Sequence, residues 1–181
     1  MNDYPPYVGR LYGCLNDIEY ARDFLRSTFS ASELSIDVRT DSEATRAGII
    51  AGFREHLCQA GPDDIAMFHF SGHGSLRPSA IEFQKTQKQP SDLGLVCWDS
   101  RRGSDDDDKF EIADKEMAVL ISEVAARRSQ VVVILDCCFN HSEILTADEI
   151  LLANIRTTDP IVIERPLDSY LDGHYRRMLN Q

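Results

Sequence analysis

The residues best suited to chemistry are an imidazole and a thiol, His73 and Cys138. A thiol attacks a carbonyl only as the thiolate, so it needs a base or an electropositive setting. His73 can be that base. It lies in Ser71-Gly72-His73-Gly74, where the glycines permit tight turns and close approach of another backbone. Cys138 ends Asp136-Cys137-Cys138. Backbone N–H groups near Gly74 and Cys138 could stabilise an oxyanion. Acyl transfer through a thioester, followed by hydrolysis, is the reaction class this set allows. On residue type alone a blander reading stays open. The histidine segment can be a structural turn, and a cysteine after an apolar strand is more often a small buried hydrophobe.

The elements around them favour the chemical reading. Ile65–Phe70 and Val131–Leu135 are short apolar runs and read as buried strands. His73 follows one and Cys138 the other, and open parallel sheets place their sites beyond the carboxyl ends of strands. If the two strands are parallel neighbours, both side chains emerge at one edge. A helix over about 16–30 is expected to turn Ile18, Ala21, Phe24, Leu25 and Phe29 inward, with Asn16 or Asp17 as its cap. Leu34–Arg39 alternates like a half-buried strand. A second helix, about 43–59, would be capped by Asp41 or Ser42 and bury Ala44, Ile49, Ile50, Phe53 and Leu57. Residues 75–92 read as irregular, Leu93–Trp98 as a strand, 99–109 as a polar loop and 115–127 as a helix. Beyond 143, helices are expected near 147–154 and 167–178, and Ile161–Ile163 is the one strand candidate. Strands alternating with helices predict an α/β fold, a mainly parallel sheet with helices on both faces, in a single domain over 1–181.

Composition narrows the partners. The net charge is −11 and the pI near 4.8, which argues against nucleic acid because phosphates would be repelled. It suits a cationic substrate, or simply solubility. The five cysteines, Cys14, Cys58, Cys97, Cys137 and Cys138, include no CxxC, so a structural zinc site is not expected. No basic, apolar leader opens the sequence, and no apolar run approaches the roughly 20 residues of a membrane span. The expectation is a cytoplasmic protein with free thiols and no membrane contact.

Several motifs in order resemble the caspase-like cysteine peptidases (peptidase C14), in their prokaryotic, metacaspase-type branch. Leu11-Tyr12-Gly13-Cys14-Leu15-Asn16-Asp17 is similar to the family's L-x-G-C-x-N-D segment, and Phe68-His69-Phe70-Ser71-Gly72-His73-Gly74 to its catalytic-histidine motif. Leu95-Val96-Cys97-Trp98-Asp99 resembles the strand that follows, Ile112-Ala113-Asp114-Lys115-Glu116 a helix start, and Val132–Cys138 the strand bearing the nucleophile. The resemblance implies a caspase-like three-layer sandwich with a catalytic core over 1–143 and a shortened, mainly helical part over 144–181. It implies His73, Cys138 and Gly74 as catalytic, and Cys14, Asp17, Ser71 and Asp136 as the pocket for a substrate Arg or Lys. Carboxylates suit a guanidinium there, although Asp17 can equally cap a helix and Asp136 accept at a strand end. The substrate would be a protein or peptide cut after a basic residue.

The sequence departs from the pattern in three places. It begins after the family's first apolar strand, as a truncated chain would. Phe139-Asn140-His141-Ser142-Glu143 replaces the usual His-Ser-Gly after the nucleophile, and the C-terminal part is short. Calcium accompanies many metacaspases. Asp99 and Asp114 fall where two of its carboxylates would lie, but Lys115 stands for a further Asp, and a cation cannot ligate calcium; no cofactor is therefore expected. Asp105–Asp108 reads as a solvated loop, and Arg101, Arg102 and Lys109, in the predicted polar loop, as candidates for self-cleavage. An inactive caspase-like module that binds or regulates a partner is the alternative function.

Overall fold

A computed structural model describes residues 1–6, 8–85, 90–101, 110–139, 156, 158–159, 161–171 and 173–179. The expected helix near 147–154, His141, Arg102 and the Asp105–Lys109 stretch lie outside the described residues.

The two most apolar runs form β1, Ile65–Ser71, and β5, Gln130–Asp136, and they pair in parallel from Ile65↔Gln130 to Ser71↔Asp136. Side chains alternate between faces along a strand. Ala66, Phe68 and Phe70 point one way, where Phe68 meets the Phe53 ring at 4.7 Å. Ser71 points the other way, toward Asp17 of α1, Cys14–Thr28. Helices therefore lie on both faces, as expected for α/β, but α1 leaves Val132 and Ile134 on its face 41% and 44% exposed, so β5 is not the buried strand the sequence predicts. α2, Arg46–Ala51, continues through π and 3-10 turns to Gln59, and α4, Asp114–Ala125, buries Met117, Leu120 and Val124 in the same core as Phe53.

A second, antiparallel sheet follows β1. β2, Gly74–Pro78, pairs with β3, Ser91–Leu95, which pairs with β4, Ile112–Ala113. The short helix α3, Ile81–Gln84, lies between β2 and β3, and α5, His174–Leu179, comes last.

Several local expectations are corrected. Within 75–92, expected to be irregular, lie the rest of β2, α3 and the start of β3, and the strand expected at Leu93–Trp98 lies at Ser91–Leu95. Leu34–Arg39 forms no strand, because alternation needs a bonded neighbour and none lies beside it among the described residues. Phe24 is 65% exposed rather than inward. Gly13, not Asn16 or Asp17, precedes α1, and Thr45 caps α2, its Oγ1 accepting from Gly48 N–H at 3.0 Å. Of the tail, a 3-10 turn at Leu167–Ser169 and α5 replace the continuous helix, and Ile161–Ile163 is not a strand.

Buried charges tie α4 to α2, to β3 and to the tail. Glu116, fully buried, binds Arg165 at 2.9 Å and also Arg46. Lys115 pairs with Asp92 at 2.5 Å, and Tyr170 donates to that same carboxylate. The carboxylates expected for calcium are engaged: Asp99 accepts from Arg46 N–H at 2.8 Å, and Asp114 lies 3.4 Å from the Lys115 ammonium. The residues present do not fit a calcium ion, because an ammonium holds the place of the cation.

Candidate active site

The register Ser71↔Asp136 sets the two chain exits side by side, and Gly72 N–H donates to Asp136 O at 3.3 Å. Two residues further on, the backbones touch. A Cβ on Gly74 would stand 2.8 Å from the Cys138 carbonyl carbon and 3.0 Å from Phe139 Cδ1. Only glycine admits that approach. His73, Gly74 and Cys138 thus share one edge, as the strand-end argument requires.

His73 is almost fully buried and held on several sides. Its N–H donates to Tyr4 Oη at 3.0 Å, Tyr4 donates to Val96 O at 3.0 Å, and the two rings lie 4.8 Å apart. Nε2 stands 3.0 Å from Gly9 O. A carbonyl only accepts, so in the neutral ring Nε2 carries the proton and Nδ1 is the basic nitrogen. Gly9 has φ +93°, a conformation that favours glycine, and it is this that aims its carbonyl at the imidazole. Neither Tyr4 nor Gly9 was singled out in the sequence; the Pro- and Tyr-rich opening carries no periodic signal.

The adjacent cysteines differ. Cys138 is exposed. Cys137 is half-buried, and burial first, then the neighbouring Cys138 and Asp136, push its thiol up to about 12. A thiol so placed is a poor source of thiolate.

An acidic pocket lies beside them. Ser71 Oγ is 3.3 Å from Asp17 Oδ2 and 3.3 Å from Asp136 Oδ2, and buried Cys14 sits one turn before Asp17 on α1. Burial holds nearby His69 below its ordinary pKa, against the pull of Asp136 and Asp17. The pocket is filled by Arg156. Its guanidinium pairs with both Asp17 and Asp136 and donates to Ser71 Oγ at 2.7 Å. Its carbonyl accepts from Gly74 N–H at 2.8 Å and Cys138 N–H at 3.0 Å. Sequence reasoning missed Arg156, because nothing in local spacing links a tail residue to a pocket built from α1, β1 and β5.

Residues 5–147 match the family described as "Metacaspase, peptidase C14 domain". The chain is 37% identical over 105 residues to Metacaspase-9 of Arabidopsis thaliana, an alignment covering 52% of this chain and 32% of that protein. It is 32% identical over 76 residues to Metacaspase-1 of Coccidioides immitis, covering 39% of this chain and 16% of that one. The alignments thus span about a third or less of these relatives' length. Among solved structures, protein GSU0716 from Geobacter sulfurreducens superposes with a TM-score of 0.57 at 21% identity, covering 96% of this chain and 58% of that one. The α/β, caspase-like fold expected from the motifs accords with these likenesses.

Proposed function

The chain belongs to the metacaspase, peptidase C14 family, and from that premise we propose that it is a cysteine endopeptidase cutting proteins or peptides after Arg or Lys. The observation that carries the reading is Arg156. A guanidinium rests on Asp17, Ser71 and Asp136 while the carbonyl of the same residue accepts from Gly74 and Cys138 N–H. A substrate's basic residue would be held in the same way, each charge-assisted hydrogen bond contributing about 1.5–3 kcal/mol.

The chemistry then follows from position. Cys138 gives its proton to His73, whose tautomer is set by Gly9. The thiolate attacks the carbonyl carbon, and the oxyanion forms on the two N–H groups. His73 passes the proton to the leaving amine, and water hydrolyses the thioester. Lys115 supplies the positive charge between Asp92 and Asp114, and the proposed reaction assigns no calcium ion to these carboxylates. The five thiols are unpaired, which fits a reducing compartment such as the cytoplasm; no helix among the described residues is long and apolar enough to cross a membrane.

The test is cleavage of a fluorogenic peptide ending in Arg. Activity should vanish in Cys138→Ala and persist in Cys137→Ala. Equal loss in both variants, or cleavage indifferent to the charge of the terminal residue, would sink the assignment.

A further inference from the structure

Resting on the peptidase reading, we propose that the outer face of β2 and β3 is an apolar strip for the leaving side of the substrate, binding apolar side chains about two to four residues after the cut. Side chains alternate between the faces of a strand. Ser75 and Arg77 of β2 turn inward and are buried, Arg77 against Glu111 at 3.4 Å. Gly74, Leu76 and Pro78 therefore turn outward. Across the ladder Leu95 faces Gly74, Leu93 faces Leu76 and Ser91 faces Pro78, so these residues share one face. The turn bearing the thiol rests on its near end, because a Cβ on Gly74 would meet the Cys138 carbonyl and Phe139. Leu95 is covered at that end, only 2% exposed. Further along, the face is bare: Leu93 is 37% exposed, and Val162 and Ile163, in the tail alongside β2, are 87% and 61% exposed. Leu76, Pro78, Ser91, Ile161 and Val162 bound a groove of about 270 Å³.

Contiguous apolar surface beside a reacting group marks an interaction site, and the occupant here follows from chain direction. Gly74 N–H donates to Arg156 O at 2.8 Å, and Thr158 N–H donates to Gly74 O at 3.1 Å. That is the bonding pattern of parallel strands, so the chain after a carbonyl seated on Gly74 N–H runs from Gly74 toward Pro78. A substrate whose scissile carbonyl takes that seat sends the residues after the cut the same way. At about 3.3 Å per residue it passes Leu76 two residues after the cut and Pro78 four residues after it. The edge of β2 is already taken there, by Ile161 N–H on Leu76 O at 3.1 Å and Arg165 N–H on Pro78 O at 3.2 Å. The substrate therefore continues over the face, where Leu76 and Leu93 form one wall and Ile161 and Val162 the other. The guanidinium of Arg77, which also borders the groove, is engaged by Glu111. A carboxylate brought there would lose water without a matching gain, whereas Leu or Val has no polar group to strand.

The experiment compares kcat/KM of the full chain on three internally quenched peptides that share one Arg. The first carries Leu-Val-Leu at the second to fourth positions after the Arg, the second Ser-Thr-Ser at those positions, and the third has Leu-Val-Leu before the Arg and Ser-Thr-Ser after it. The first should be cut roughly tenfold faster than the other two, as burial of a Leu side chain in an open groove allows. Val162→Asp, at a side chain exposed enough to be replaced without unfolding the protein, should bring the ratio of the first to the second close to one, and Val162→Leu should keep it. Leu93→Asp tests the opposite wall in the same way. Equal cleavage of the first two peptides, abolished in Cys138→Ala, would overturn the strip and leave the peptidase standing. A preference that follows the residues before the Arg, or that survives in both aspartate variants, would overturn it as well. Failure of the folded protein to cut any of the three would remove the peptidase reading and the strip together.

Discussion

Replacing Gly74 with Ala probes the arrangement where it is tightest. The new Cβ would stand 2.8 Å from the Cys138 carbonyl carbon, about 0.7 Å short of the ~3.5 Å at which carbon atoms pack. The obstructing atoms are main chain, so no rotamer relieves the contact, and β2 must part from the turn at Cys138. The N–H groups of Gly74 and Cys138 now converge on one oxygen, at 2.8 and 3.0 Å. Parting the strands breaks that convergence. Losing one oxyanion donor costs about 100-fold or more in kcat, and a misplacement approaching 1 Å has a comparable effect. The expected loss is therefore about 100-fold, or about 2.7 kcal/mol. KM for an Arg peptide should change little, because Asp17, Ser71 and Asp136 are untouched. Steady-state kinetics on purified Gly74→Ala, with circular dichroism to show that it folds, decides the matter. A folded variant retaining more than half of the parental kcat would show that these two N–H groups do not stabilise the reacting oxygen.

Tyr4→Phe deletes the partner of both His73 N–H and Val96 O, which are buried; urea denaturation should show a loss of about 1–3 kcal/mol, with slower peptide turnover. Glu116→Gln removes the charge shared by Arg165 and Arg46 and weakens acceptance from Ala113 and Leu171 N–H. Breaking such a buried pair costs about 3–5 kcal/mol, which a shift of the urea midpoint would register.

The apolar runs at 65–70 and 131–135 were enough to place β1 and β5, and with them the meeting of His73, Gly74 and Cys138. Runs of that kind form strands, and parallel strands bring their carboxyl ends together; the burial expected of them holds for Ala66 and Phe70 of β1 but for no residue of β5. Of the β2–β3–β4 sheet only part of β3 was legible, because apolar Leu95, Ile112 and Ala113 share its buried positions with polar residues. Ser75, Arg77, Ser79 and Asp92 lie inside, satisfied by Gly94 O, Glu111 and one another, so no alternation of apolar residues marks the strands. Leu34–Arg39 failed in the opposite way: its alternation is present, but a strand is a property of two segments. Arg156 was illegible because its partners come from three distant elements, and its backbone contacts depend on the path of the tail.

On the proposed mechanism, the two reacting groups are carried by separate parts of the chain. The thiol rides on the end of β5. The imidazole takes its orientation from the residues before α1, through Tyr4 and the Gly9 carbonyl. Loosening that opening stretch would unseat the base while leaving the nucleophile in place. Alkylation of Cys138 and turnover of a peptide would then come apart: the first reports the exposure of a sulfur atom, the second the integrity of a splint made from the first nine residues.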